Sequence, residues 1–95
     1  MAITGTLGIS QTATLATTVS QVTGAGAAKT ITIWESDVDL YVVTSKAVAD
    51  GDALPSAGRR KISSSALPVE ISIAGAGFLG LAGASAGDCH FELSP

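Results

Sequence analysis

The stretch TITIWESDVDLYVVT at residues 30–44 decides the fold class of this chain. Isoleucine alternates with threonine over residues 30–33, and apolar and polar side chains alternate again over residues 38–44. A repeat of two residues is the periodicity of a β-strand with one buried face. Because the polar residues 35–37 separate the two runs, the stretch predicts two strands joined by a short turn, as in a β-hairpin.

Strand patterns continue on both sides of this stretch. Residues 12–23 fit helical spacing at some positions, but their five threonines favour one or two strands, since a branched Cβ suits extended backbone. Residues 45–58 contain an Asp-Gly-Asp triplet, a proline and a glycine, and they predict a long exposed loop. Further strands are predicted at residues 61–64, 69–73, 78–82 and 89–93, the last with Cys89, Phe91 and Leu93 inward and His90 and Glu92 outward.

These runs amount to six to eight short strands separated by turn signals, with no alternating helices. That pattern predicts an all-β fold: a small β-sandwich of the jelly-roll kind, or a Greek-key barrel, with antiparallel strands. We expect residues 12–95 to form the single domain. Residues 1–11 are short of core side chains and predict an extended N-terminal arm that is ordered only against a partner.

Composition limits what the chain does by itself. It has 95 residues, of which sixteen are alanine, eleven are glycine and only 14% are charged. A core of this size rarely supplies more than about 3–5 kcal/mol of stability without staples. One cysteine and one histidine leave neither an intrachain disulfide nor an obvious zinc set. The composition therefore favours a chain that gains stability against copies of itself or a larger partner.

Charge and hydropathy argue against nucleic acid and membrane as partners. The net charge is −3, whereas nucleic-acid binders normally carry an excess of lysine and arginine. The first ten residues lack the basic and apolar regions of a signal peptide. Residues 71–87 are uncharged but contain five glycines, which disfavour a membrane-spanning helix.

No constellation of side chains predicts an enzyme. Cys89 and His90 are neighbours on a predicted strand, so they point to opposite faces, and the chain has no second histidine to act as a base. Residues 75–80 match G-x-G-x-x-G, but glycines continue beyond them, and we expect a turn rather than a dinucleotide site. We expect no catalytic residue and no cofactor.

A calcium site is the metal hypothesis that the sequence raises. Carboxylates are the ligands that calcium prefers, but the twelve-residue loop pattern ending in a glutamate is absent. Solvated turn aspartates are the alternative that we favour, and no metal is expected. The residues concerned are Asp37, Asp39, Asp50 and Asp52.

Two groups of residues are candidates for contact with a partner. Arg59, Arg60 and Lys61 follow a turn-like Pro-Ser-Ala-Gly stretch; they either grip a carboxylate or phosphate group or form a hydrated loop tip. Trp34 and Tyr41 are predicted to face away from the isoleucine and valine core. They suit a subunit contact, a second sandwich layer or a binding platform.

Residues 31–93 resemble the small virion proteins of tailed bacteriophages. The resemblance rests on the Tyr41-Val42-Val43 strand after a polar turn, on the proline loop at Leu54-Pro55 followed by a strand, and on the run FLGLAGASAGDCHFELSP at residues 78–95. It implies a non-enzymatic, all-β capsid decoration (cement) protein. Such proteins often form trimers around local threefold axes of the capsid.

The resemblance also implies partners and a location. The major capsid protein would be the partner, a homo-oligomer (a trimer) the assembly, and the capsid exterior the location after synthesis in the host cytoplasm. Arg59, Arg60 and Lys61 would contact an acidic capsid surface. Arm anchors and inter-subunit contacts would be supplied by apolar side chains. These are Ile3, Leu7 and Ile9 for the arm, and Trp34 and Tyr41 between subunits.

Two alternatives remain open at this point. The chain also suits another virion component, such as a head–tail joining or tail subunit. A small carbohydrate-binding β-sandwich is the other alternative, with Trp34, Tyr41 and the turn aspartates as a sugar platform.

Overall fold

The computed structural model describes residues 2–95, and these residues form two β-sheets that face each other. Nine strands and one short 3₁₀ helix are present: β1 (Ile3–Thr4), β2 (Gln11–Leu15), β3 (Ser20–Thr23), β4 (Thr30–Ser36), β5 (Leu40–Val43), β6 (Arg59–Ile62), η1 (Ser64–Ala66), β7 (Val69–Ser72), β8 (Gly80–Gly83) and β9 (Gly87–Ser94). One sheet has the strand order β1-β3-β8-β5-β6, and the other has the order β2-β9-β4-β7. The prediction of an all-β chain is confirmed.

The core lies between the two sheets and follows the twofold periodicity of the strands. In β9, Cys89, Phe91 and Leu93 are buried, whereas His90 is exposed, as the alternation predicts. Phe91 lies opposite Ile33 of β4, and Leu93 lies opposite Ile31. The facing sheet contributes Val22, Leu40, Val42, Ile62 and Leu81, and Leu79 joins them from the position just before β8.

The predicted hairpin at residues 30–44 is wrong, although both of its strands exist. β4 pairs with β7 and β9, while β5 pairs with β6 and β8, so the two strands belong to opposite sheets. The Ser36 hydroxyl donates to the Val38 carbonyl at 2.6 Å and holds the chain where it crosses between sheets. Alternation identifies the buried face of a strand but not the strand that pairs with it. Strands in either of two facing sheets show the same alternation, because each sheet buries one face.

A β-bulge interrupts the pairing of β4 with β9. Ile33 is opposite Phe91 and Glu35 is opposite His90, so Trp34 is an extra residue on β4. A bulge of this kind bends the strand and changes the direction of its side chains. As a result Trp34 and Glu35, although adjacent, are both exposed on the outer side of the sheet.

The predicted loop after β5 is present, and it packs on the sheet rather than projecting freely. The Gly51 N–H donates to the Val19 carbonyl at 2.7 Å, and the Val19 N–H donates to the backbone carbonyl of Asp52 at 2.8 Å. Val19 and Val43 are fully buried although they lie outside the main core cluster. The loop therefore covers apolar side chains on the outer side of the five-stranded sheet.

The prediction that the N-terminal segment is ordered only against a partner is wrong, because this segment packs against its own chain. Ile3 pairs in parallel with Val22, and the Gly5 N–H donates to the Thr23 carbonyl at 2.8 Å. Leu7 forms a bridge with Leu93 and, like Ile3, packs against the core. These two side chains supply the apolar burial that the predicted arm was expected to lack. Met1, the first residue of that arm, lies outside the described residues.

Replacing Leu7 tests whether this segment is part of the fold. Leu7→Ala should lower the free energy of unfolding by about 1–2 kcal/mol, because a half-buried leucine loses its contacts with the core. Ile9→Ala is the matched control: Ile9 is 57% exposed, and its loss should change stability by less than about 0.5 kcal/mol. Urea denaturation measures both values. Equal and negligible effects of the two variants would contradict the packing described here.

Candidate interaction surfaces

The outer side of the four-stranded sheet is acidic. Four carboxylates project from three of its strands, and one histidine accompanies them. Thr32 of β4 is opposite Glu70 on one side and Glu92 on the other. We call this surface the acidic face; it consists of Glu35, Glu70, Asp88, His90 and Glu92.

The β-bulge creates a shallow depression on the acidic face. Trp34 is 44% exposed and lies at this point of the sheet. The depression has a volume of about 480 Å³ and is lined by Ser10, Trp34, Glu35, His90 and Glu92. An aromatic ring beside carboxylate and imidazole groups offers both an apolar plane and hydrogen-bonding groups. The sequence does not predict this cluster, because a bulge leaves no signal in the alternation of apolar and polar residues.

A basic strip lies on the outer side of the other sheet. β6 is an edge strand of that sheet, with Lys61 opposite Tyr41 and Arg59 opposite Val43. The guanidinium carbon of Arg59 lies 5.2 Å from the centroid of the Tyr41 ring, within the range of a cation–π contact. We call Tyr41, Arg59 and Lys61 the basic strip. The ring holds one of the two cations in a defined place.

Arg60 does not belong to the basic strip. Arg60 is opposite Val42, whose side chain faces the core. Arg60 therefore points to the core side of β6, away from the outer side that carries Arg59 and Lys61. There it lines a groove of about 260 Å³ between β6 and β7, together with Ile71. The expectation that the three cations share one loop is therefore wrong. The turn ends at Gly58, where φ is +71°, and a strand begins immediately after it.

Trp34 and Tyr41 lie on different surfaces. Both are directed away from the core, as predicted, but Trp34 belongs to the four-stranded sheet and Tyr41 to the five-stranded one. The single sugar platform considered from the sequence is therefore not formed. Of the three arm residues, Ile3 and Leu7 contact the chain's own core, and Ile9 is exposed.

The turn aspartates bind backbone N–H groups of the protein itself. In each case the carboxylate accepts a hydrogen bond that fixes a turn or joins two segments. The donors are the N–H groups of Asp88 for Asp37, Ser64 for Asp39, Gln21 for Asp50 and Ala49 for Asp52. Within residues 2–95, no three His, Cys, Asp or Glu side chains are grouped so as to hold a metal ion.

Cys89 and His90 are separated by the strand that carries them. Burial raises the pKa of the Cys89 thiol to about 11, and the nearby charge of Asp88 adds to the effect. The thiol is therefore protonated at neutral pH, which disfavours a nucleophilic role. Gly75 and Gly77 lie between β7 and β8, and Gly80 is the first residue of β8. Gly75 has a φ of +78°, so the predicted turn is confirmed.

Comparison with known proteins adds no family to this description. No protein-family model matches the chain, and neither a curated protein nor a solved structure matches it. Across the described part of the chain, no helix is long and apolar enough to cross a bilayer.

The hydrogen bond from Ser64 to Asp39 predicts a pH dependence of stability. The Ser64 N–H, 2.9 Å away, is the main reason that the pKa of Asp39 lies below its usual value. A carboxyl group with a lowered pKa stabilises the fold above its unfolded-state pKa of about 3.9, and this contribution disappears as the pH falls through the folded-state pKa. The melting temperature of Asp39→Asn should therefore fall less steeply than that of the parent protein below about pH 4.

Ser64→Pro provides the matched variant for this experiment. It removes the donated N–H but keeps the carboxylate, and it occupies the first position of η1, where proline is tolerated. Ser63 has the extended backbone that a following proline requires. Both variants should show the same shallower acid dependence in thermal melts. Identical slopes for all three proteins would refute the assignment.

Proposed function

We propose that this protein is a non-enzymatic virion structural protein, a capsid decoration protein that bridges and stabilises major capsid subunits. Two features support the proposal: the resemblance of residues 31–93 to small virion proteins, and a small β-sandwich whose turn aspartates and buried thiol serve the fold. The observation that carries it is the basic strip, where the Tyr41 ring orders Arg59 beside Lys61 on an exposed edge strand.

The strand order supports a jelly-roll topology as the finer description of the sandwich. Counting β2 to β9 as eight strands, one sheet holds the first, eighth, third and sixth, and the other holds the second, seventh, fourth and fifth. Consecutive strands thus change sheet except between β5 and β6. Double-sheet jelly rolls of eight strands occur in viral capsid and lectin domains. The topology is compatible with virion structure and with sugar binding alike.

The size of the sandwich is adequate for a bridging role. Its broad face extends 29 × 28 Å. The area of this face is therefore similar to the roughly 800 Å² that each partner contributes to a standard protein interface. Many such contacts on one shell act together, because expansion or rupture of the shell must break them at the same time. In this proposal the protein acts by binding alone, without a cofactor.

The distribution of charge gives the proposed contact a direction. The acidic face and the basic strip lie on the outer sides of different sheets. A negatively charged patch on the shell would attract the basic strip and repel the acidic face. We therefore propose that the β6 edge of the five-stranded sheet contacts the capsid and that the four-stranded sheet faces solvent.

Replacing the two cations of the basic strip tests the proposal. Arg59→Ala/Lys61→Ala should weaken binding to undecorated particles about three- to tenfold, as expected for the loss of two exposed ion pairs. Arg60→Ala is the matched control on the same strand and should bind as the parent protein does. Occupancy is measured by co-sedimentation with particles at several salt concentrations, and thermal melts show that each variant is folded. Equal occupancy for both variants would refute the role of the strip.

Copy number separates decoration from the other virion roles. A decoration protein covers the shell and occurs in many copies, whereas a head–tail joining ring contains only a few subunits. Quantitative mass spectrometry of purified particles measures this number. A low count would favour the joining or tail role, and absence from particles would refute every virion role.

Carbohydrate binding is the second candidate, and the depression at Trp34 favours it. A sugar ring can stack on the exposed indole while Glu35, His90 and Glu92 accept or donate hydrogen bonds at its rim. If this role is correct, glycan-array binding should be lost in Trp34→Ala and retained in Tyr41→Ala, because Tyr41 lies on the other sheet. A parent protein that binds no glycan would contradict it.

A further inference from the structure

The first third of the chain has no charged side chain. Lys29 is the first charged residue, and all thirteen Asp, Glu, Lys and Arg residues lie at or beyond it. Residues 2–28 include β1, β2 and β3, and two of these strands, β1 and β2, form sheet edges on the same side of the sandwich. This side, which we call the neutral side, is therefore built from uncharged residues.

The four edge strands of the sandwich differ in how they are protected against strand addition. Natural proteins protect such edges with charge, proline or short length. β6 carries Arg59, Arg60 and Lys61, and β7 contains Glu70 and is preceded by Pro68. β1 has only two residues. β2 has five residues, no charge and no proline, so it lacks all of these devices.

A groove runs beside β2 on the neutral side. It has a volume of about 460 Å³ and is lined by Ala2, Ile3 and Thr4, by residues 11–16 and by Ser20. On the outer side of the sheet, Thr12 and Thr14 of β2 are exposed. An unprotected strand beside an uncharged groove provides unpaired backbone groups and room for an added strand.

We propose that β2 is the site at which a second copy of this chain binds, by antiparallel pairing of β2 with β2 of the partner subunit. The sequence QTATL is self-complementary in the register centred on Ala13. Thr12 then lies opposite Thr14 of the partner subunit, and Gln11 lies opposite Leu15 of the partner subunit. Threonine pairs are favourable across antiparallel strands, and all five residues are paired.

Charge repulsion opposes most contacts between two copies of this chain, but it does not oppose pairing at β2. Each copy has a net charge of −3, so two copies repel each other at most orientations. Asp88 of β9 is the nearest charged residue that pairs with β2. The two copies of Asp88 would lie three strand spacings apart across the sheet and two residues apart along it. The separation is about 16 Å, beyond the Debye length of about 8 Å at physiological ionic strength.

The proposed assembly is closed by a twofold axis through the Ala13 pair. It joins the two four-stranded sheets into one continuous sheet of eight strands and removes the unprotected edge from both copies. A threefold assembly would need a different surface. The proposal concerns the purified protein and does not rest on its function in a virion.

Charged residues introduced at β2 provide the first test. Sedimentation velocity of the full chain from 1 to 500 µM should show a monomer–dimer equilibrium for the parent protein. Thr12→Lys/Thr14→Lys places like charges opposite each other and should raise the dimer Kd at least about tenfold. Thr30→Lys/Thr32→Lys adds the same charges to the same sheet on the central strand β4, and should leave the Kd unchanged.

Disulfide trapping provides an independent test of the register. Thr12→Cys and Thr14→Cys should each form no covalent dimer under mild oxidation when alone, because in this register neither cysteine faces its own copy. A mixture of the two variants should form a covalent heterodimer, since residues 12 and 14 are directly opposite. The buried Cys89 does not compete. A monomeric parent protein, a trimer insensitive to both lysine variants, or efficient trapping of either cysteine variant alone would overturn the proposal.

Discussion

The strand β9 is the element on which the rest of the structure depends. It pairs with β2 over five residues and with β4 over six, and its inward side chains Cys89, Phe91 and Leu93 are fully buried. Leu7 continues the pairing beyond the end of β2. The four-stranded sheet can therefore form only when the N-terminal and C-terminal parts of the chain pair with each other. Topologies with such distant contacts fold slowly, because the entropy of closing a long loop must be overcome first.

This architecture leaves the molecule with three chemically distinct surfaces. The acidic face lies outside the four-stranded sheet, the basic strip lies on the edge strand β6, and the neutral side is built from residues 2–28. The acidic face and the basic strip follow from alternation, because a strand that buries one side must direct its other residues outward. The neutral side follows from the absence of charged residues before Lys29. In the proposed function and assembly, these three surfaces would face a shell, solvent and another copy of the chain.

The polar groups that most resemble catalytic or metal-binding residues serve the fold. Asp39 fixes the start of η1 through Ser64, and Asp50 joins the long loop to β3 through the Gln21 N–H. Buried Cys89 is held as a neutral thiol. These roles use hydrogen-bonding capacity inside the molecule. Side chains on the outer surfaces are therefore the candidates for contact with a partner in the proposed function.

The amount of the structure that can be predicted from sequence depends on whether the signal is local. The alternation of residues 89–93 predicted which side chains of β9 are buried, and the glycines of residues 75–80 predicted a turn. The segment before β2 was misjudged because the burial of Ile3 and Leu7 depends on side chains more than fifteen residues away.

By itself, the sequence determined the all-β class, the inward face of most strands and the outward direction of Trp34 and Tyr41, because a repeat of two residues is a property of neighbouring positions. The tertiary structure alone decided which strands are neighbours. It separated β4 from β5, set Arg60 apart from Arg59 and Lys61, and placed Trp34 beside His90 through a bulge. The physical reason is that pairing depends on contacts between distant residues, and many pairings bury the same alternating pattern equally well.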